Sequence, residues 1–262
     1  MEVLVSSMNK DMSLFKKMNI QTNAIIINQT PDIPGNFSYK QQIFDDKTWK
    51  FYSMSEKGVG RSRNNALLRA SDDIVIMADE DEVFVDGYEK IINDAYSKYP
   101  EADMIVFDVR VHNGDEIKHR VKRDGRVKFF NSFRYGTVTF TFKRDILLNN
   151  NIYFSLLFGG GAEFQSGEDS LFITDVLKNK LKVYSNKEVI ADVYNDDSSW
   201  FNGYNENYLI HRGALFRAIS KKFCFFLILQ FALRRKSLFS GLSIYKIIIL
   251  MLQGKKSFEN NL

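Results

Sequence analysis

The residues best equipped for chemistry in this sequence are acids in two places. Asp79, Glu80, Asp81 and Glu82 follow the apolar run Ile74-Val75-Ile76-Met77-Ala78 without a break, and Glu168-Asp169 follow Ser166-Gly167. Four adjacent carboxylates repel one another, so their delivery by a core strand needs a reason. The two readings are a solvated acidic turn and a divalent-metal site beyond the carboxyl end of a strand in an open α/β sheet. A third stretch, Gly58-Val59-Gly60-Arg61-Ser62-Arg63-Asn64, sets glycines and two arginines at a helix start. That composition suits an anion, although Gly-x-Gly alone is neither a dinucleotide nor a phosphate-loop fingerprint, and a solvated helix start is the plainer alternative.

If the ligand is a nucleoside diphosphate sugar, the three stretches divide the work. Its diphosphate is repelled by Asp79 and Asp81 unless a hard cation, Mg or Mn, lies between them. Such a cation stabilises the charge that builds on the departing diphosphate. Attack by a sugar hydroxyl also needs a base, and Asp169 is the candidate. The alternative for Glu168 and Asp169 is that they answer the dipole of the helix they open. Other metal chemistry fits less well. A calcium loop starting at Asp79 would want an oxygen ligand at Val83 and glycine at Phe84, while His112, His119 and His211 are too scattered for zinc.

The elements that must position these groups read as an α/β fold. Strands are expected at Val3 to Ser7, Ala24 to Asn28, Thr48 to Met54, 74–78 and Met104 to Val111. Helices are expected at Met12 to Met18, Arg61 to Ala70, Asp86 to Tyr99 and Ser170 to Lys180. Strand, helix, strand in that order argues for a mainly parallel sheet with helical crossovers. From Ile117 to Lys143 the alternation is less regular and suggests further β structure. Between Leu156 and Leu171 three consecutive glycines, Gly159 to Gly161, loosen the backbone where a ligand approaches or a loop moves.

At 262 residues, 45% of them apolar, the chain can fill one large core with an appendage. The first residues run straight into a strand pattern with no basic leader, and Cys224 has no intrachain partner. The expectation is a cytoplasmic protein. Charge is uneven. Residues 211–262 hold ten Lys or Arg against Glu259 alone, a balance of +9 in a chain of net +4, so the rest carries −5. The tail's basic residues alternate with apolar blocks, Phe223 to Leu233 and Leu242 to Leu252, which favours an anionic membrane over nucleic acid. Each run is far short of the roughly 20 residues that span a bilayer. Peripheral attachment to the inner face of the cell membrane, both apolar faces inserted, is therefore expected. A helical pair packed on the body, or in a homodimer interface, is the alternative.

The blocks GVGRSRNNAL, ADEDEVF and GEDSLF, in that order, resemble bacterial family 2 glycosyltransferases of the GT-A fold. More narrowly, LVSSMNKDMSLFKKMNI, AIIINQT, FGGGAEFQSGEDSLF and SSWFNGYNENY resemble the branch found in capsular and exopolysaccharide gene clusters, over about residues 2–220. The resemblance implies a Rossmann-like catalytic domain over 1–205 and a helical extension over 206–262. It also implies a metal-dependent, inverting, hexosyltransferase-type enzyme that moves a sugar from a nucleotide sugar, expected to be UDP-linked, to a lipid-linked saccharide.

By the same resemblance Asp81 binds the metal, and Asp79 contacts the ribose or the metal's water shell. Arg63 and Asn64 lie beside the nucleotide, Asp169 is the base, and Glu168 helps to hold the acceptor. Ser6 and Gln29 follow the strands that bracket the nucleobase, while Glu80 and Glu82 only flank the site. The family's His after the strand that follows the acidic helix start is missing from Ile190-Ala191-Asp192-Val193, where Asp192 is the nearest substitute. Two rivals stay open. A sugar-phosphate nucleotidyltransferase carries a Gly-rich basic signature after its first strand, unlike Ser6-Ser7-Met8-Asn9 here. A non-catalytic saccharide-binding relative has no use for two acid pairs.

Overall fold

A computed structural model describes every residue except Asp32, 195–202, Ser240 and Leu262. The first residues of the SSWFNGYNENY block lie outside the described residues. In chain order the elements are β1 (Glu2–Met8), α1 (Leu14–Lys17), β2 (Asn23–Gln29), β3 (Phe37–Phe44), β4 (Lys47–Met54), α2 (Val59–Arg69), β5 (Ile74–Asp79), β6 (Glu82–Phe84), α3 (Tyr88–Lys98) and β7 (Met104–Asn113). The second half adds β8 (Glu116–His119), β9 (Gly125–Arg126), α4 (Phe129–Ser132), β10 (Phe140–Lys143), α5 (Arg144–Asn149), α6 (Glu168–Lys178), β11 (Val183–Tyr194), α7 (Glu206–Ile219), α8 (Cys224–Arg234) and α9 (Ile244–Asn260).

One sheet runs in the order β3-β4-β2-β1-β5-β10-β7-β11-β6, with β8 on β7 and β9 on β11. Strands β4, β2, β1 and β5 are parallel neighbours, and their registers bring Met54, Gln29, Met8 and Asp79 to one carboxyl edge. The second half is mixed. β10 is antiparallel to both β5 and β7, β6 is antiparallel to β11, and only β7 and β11 pair in parallel. The irregular stretch from Ile117 resolves into the short β8, β9 and β10 with α4 between them rather than continuous β structure.

The apolar runs explain the layers. Alternate residues of β1 and β5 enter opposite cores: Val3, Val5, Ile76 and Ala78 meet Phe15 of α1 and Tyr88 and Ile92 of α3, while Leu4, Val75 and Met77 meet Ala66 and Leu67 of α2 and Phe172 and Val176 of α6. A strand covered on both faces carries no polar alternation, which is why β5 reads as continuous apolar sequence. Each fully buried aliphatic side chain contributes about 1.5–3 kcal/mol. α2 and α6 therefore share one face of the sheet, and each starts near the carboxyl edge.

The tail helices pack onto this body. Ala214, Leu215 and Ile219 of α7 and Phe258 of α9 form a core with Phe158, Phe164 and Leu171, against the glycine loop and α6. α7 and α9 cross with backbones almost touching. A Cβ on Gly254 would lie 1.7 Å from the carbonyl oxygen of Ile210, and one on Gly213 would lie 1.9 Å from that of Met251. Among the described residues no helix is long and apolar enough to cross a membrane.

Candidate active site

Arg63 joins the two acid clusters. It lies on α2, one turn past the glycines, facing the sheet and 3% exposed. Its Nη2 donates to both oxygens of Asp79, at 2.8 and 3.1 Å, and its Nη1 donates to Glu168 Oε1 at 3.0 Å and Asp169 Oδ1 at 3.3 Å. Burial alone would weaken its hold on the proton, but Asp79, Asp169 and Glu168 outweigh burial and raise its pKa above the usual value. The guanidinium also stacks over Phe154, 5.3 Å from the ring centroid, and that ring stacks at 4.1 Å on Phe172 of α6. One cation answers three carboxylates and leaves a formal −2.

Asp169, the expected base, sits at the start of α6 with Gly167 as N-cap. Its Oδ1 also accepts the hydroxyl of Thr137 at 2.5 Å, so two donors fix the carboxylate's orientation. Thr137 precedes β10 in the irregular stretch and carries no motif; only the long-range packing of that segment on α6 reveals it. Glu168, expected at the acceptor, is turned inward instead. One oxygen is on Arg63 and the other accepts the Gly167 N–H at 3.1 Å, which makes it a positioning residue for Arg63. Burial first, and then Asp169, raise its pKa, with Arg63 acting in the opposite sense.

The first cluster is less uniform than its sequence. Asp79 ends β5 and Asp81 sits in the turn to β6, its backbone carbonyl held by the Tyr194 N–H at 3.2 Å. Burial, and next the charge of Asp79, push Asp81 up to about 6. Glu80 and Glu82, expected only to flank, hold the turn in place. Glu82 is 1% exposed and accepts the Asp79 N–H at 2.6 Å. Burial, Asp79 and Asp81 raise its pKa well above the usual range. Glu80 accepts the Met8 N–H at 2.7 Å and pairs with Lys10 at 3.2 Å, so the turn is tied to the end of β1.

The remaining expected residues are drawn into the frame around the acids. Asn64 grips the backbone of Phe154 through both its N–H and carbonyl, each at 2.8 Å, and so positions the ring under Arg63. Ser6 donates to Ser62 at 2.9 Å, and Gln29 accepts the Gly58 N–H at 2.7 Å. The α2 start is not solvated: Val59 N–H donates to Gly160 at 2.9 Å, interlocking the two glycine stretches. Gly159, at φ 106°, backs onto Val59 and Glu168, and a Cβ there would lie 2.9 Å from the Glu168 carboxyl carbon. Asp192 is committed elsewhere, to Arg110 at 2.5 and 2.8 Å and His112 at 2.6 Å, and these hold its pKa down although burial raises it.

The donor set suits a hard cation brought with a phosphate rather than a complete protein cage. Among the described residues no three His, Cys, Asp or Glu side chains converge as metal ligands, and no cation forms an ion pair with Asp81. Magnesium is often held by one or two carboxylates, with water and substrate phosphate completing its shell. A separate surface cavity of about 410 Å³ is lined by Lys16, Asn19, Gln21, Lys47 and Trp49 among others. It lies at the opposite, amino end of β2 and β4, away from both acid pairs.

No family model matches the chain, and no curated protein matches its sequence. Among solved structures, Staphylococcus aureus TarS residues 1–349 in complex with UDP-GlcNAc has a TM-score of 0.66 at 13% identity, over 99% of this chain and 91% of that one. The same segment in complex with UDP gives 0.63 at 15% identity, over 100% and 91%. A longer TarS chain gives 0.64 at 14% identity, over 99% of this chain and 55% of that one. The likeness is one of fold, and it extends through the helical tail as well as the sheet. The GT-A-like architecture expected from the motif blocks is the one observed.

Proposed function

We propose that this protein is an inverting glycosyltransferase that moves a sugar from a UDP-linked donor to a hydroxyl of a saccharide acceptor. The observation that carries the reading is the Arg63 junction. One buried guanidinium brings Asp79 of the first acid cluster and Asp169 of the second into a single site at the carboxyl edge of the parallel strands. The fold supports it, because the TarS segment that shares this architecture was solved with UDP-GlcNAc and with UDP.

In this reading Asp169 takes the proton of the acceptor hydroxyl as that oxygen bonds to the anomeric carbon. The bond from that carbon to the β-phosphate oxygen breaks, its electron pair leaves with UDP, and a single displacement inverts the configuration. Arg63 and Thr137 hold the carboxylate in place before the acceptor arrives, so little reorganisation remains for the reacting complex. Asp81 and Asp79 would hold a Mn or Mg ion, which when bound neutralises charge on the departing diphosphate. Glu82, Glu80, Asn64 and Gln29 keep the turn and α2 in register. The resemblance of several blocks to capsular and exopolysaccharide enzymes supports a lipid-linked saccharide as acceptor.

A thermal-shift screen of UDP, UDP-sugars and other nucleotide diphosphates, with and without Mn or Mg, tests the donor half. A ligand at about 100 times its Kd adds about 2.7 kcal/mol, which is several degrees in Tm for a chain of this size. The expected result is stabilisation by UDP and UDP-sugars that grows when the metal is added. Absence of any shift with every nucleotide and metal combination contradicts the proposal.

A further inference from the structure

The two apolar runs of the tail have different fates. In α9 most of the apolar residues face inward: Ile247, Leu250, Met251 and Phe258 are buried against α7, α8 and the glycine loop, and only Ile244 and Tyr245 in its first turn are exposed, at 39% and 74%. Of the two runs expected to meet a membrane, the α9 run is thus turned mostly towards the body of the protein. In α8 one side, Cys224, Ile228 and Ala232, is buried. The exposed positions within it are Phe225 at 60%, Phe226 at 62%, Leu229 at 37%, Gln230, Leu233 at 58% and the final Arg234. Phe223, just ahead of the helix, is 58% exposed. Four of those six positions are large and apolar, which is unusual for a helix facing water.

Charge brackets this face. Lys221 and Lys222 precede the helix, and Arg234, Arg235 and Lys236 end it. None of the five forms an ion pair among the described residues, whereas Arg217 of α7 and Lys255 of α9 both pair with Glu259. No acid occurs between Glu206 and Glu259. We propose that the exposed face of α8 docks on an anionic phospholipid bilayer. Phe225, Phe226, Leu229 and Leu233 enter the interface and the flanking cations meet the headgroups. At 11 residues, about 16 Å, the helix lies along the surface and does not cross. A second copy of the chain fits less well, because a two-fold interface over α8 would bring both sets of unpaired cations together. The proposal stands apart from the transferase reading, since it concerns only where the protein sits.

The test is flotation of the full chain with phosphatidylcholine vesicles, with and without phosphatidylglycerol. A Phe226→Trp variant reports insertion by fluorescence. The expected result is flotation only with phosphatidylglycerol, weakened by salt, together with a blue shift of the new tryptophan. Phe225→Ser with Phe226→Ser, and separately Arg234→Glu with Arg235→Glu, each lower binding by about tenfold or more. Because these side chains are exposed, both variants keep the parent's Tm. Three outcomes overturn the proposal: no flotation with phosphatidylglycerol, equal flotation with neutral vesicles, or binding unchanged in both variants. A dimer in solution that the Phe225 and Phe226 substitutions dissociate also overturns it and assigns the face to a second copy.

Discussion

At the carboxyl edge of the sheet one buried guanidinium answers three carboxylates, and around α8 five cations, four of them exposed, pair with no acid among the described residues. The difference is instructive because the same chemical groups do opposite things in the two places. Buried charges without partners are expensive, so at the edge each side chain is fixed by the others and the geometry is set before any ligand arrives. In water an unpaired cation costs little, so the tail can keep its charges available for a surface that is not part of the fold. The edge fixes its charges by mutual pairing, and the tail leaves its charges in water.

Substitutions that exchange these properties sharpen the contrast. Arg63→Ala leaves three carboxylates without their cation and is expected to cost about 3–5 kcal/mol, a fall of about 10 °C in Tm by calorimetry. A small loss would mean that the junction is looser than its distances suggest. Gly254→Ala comes next. Helix propensity alone favours alanine by about 1 kcal/mol, but the added Cβ meets the Ile210 carbonyl at 1.7 Å. A net loss of about 1–3 kcal/mol in denaturant unfolding is therefore expected. Thr137→Val removes one of the two donors on Asp169 at nearly constant volume, and sugar transfer should fall about tenfold with UDP affinity unchanged. Smallest of all, Arg234→Glu with Arg235→Glu should move Tm by less than about 2 °C, since exposed charges away from a network contribute little. A large shift there would place these arginines in the fold and not at its margin.

Much of the edge was legible in the sequence, for a definite reason. A strand covered on both faces has no polar alternation, so Ile74 to Ala78 announces itself, and the acids that follow can only lie at its end. Likewise the glycine and apolar spacing marks the starts of α2 and α6. What stayed hidden depends on contacts between residues far apart. Nothing local shows that Arg63 reaches Glu168 and Asp169, that Glu82 turns into the core while Asp81 does not, or that Thr137 meets α6. Strand β3 was missed because it buries none of its residues and its apolar ones, Phe37, Tyr39, Ile43 and Phe44, are exposed and do not alternate regularly with its polar ones. Its hairpin signal lies in Asp45 and Asp46, both at positive φ, as a tight two-residue turn requires. The tail gives the sharpest case: of two apolar runs that look alike as sequence, the one in α9 is turned mostly inward beyond its first turn and the one in α8 is half exposed, and it is α9 that crosses α7 through the paired Gly213 and Gly254.

In the proposed mechanism, donor binding and proton removal belong to one site but to different acids. Its most direct test is Asp169→Asn, assayed for UDP affinity by calorimetry in the presence of Mn and for sugar transfer from a UDP-linked donor to a saccharide acceptor. The expected result is UDP affinity within about threefold of the parent and transfer lowered by about 10²–10⁴-fold. Full transfer activity in Asp169→Asn, with the protein folded and UDP bound, would contradict it and place the base elsewhere.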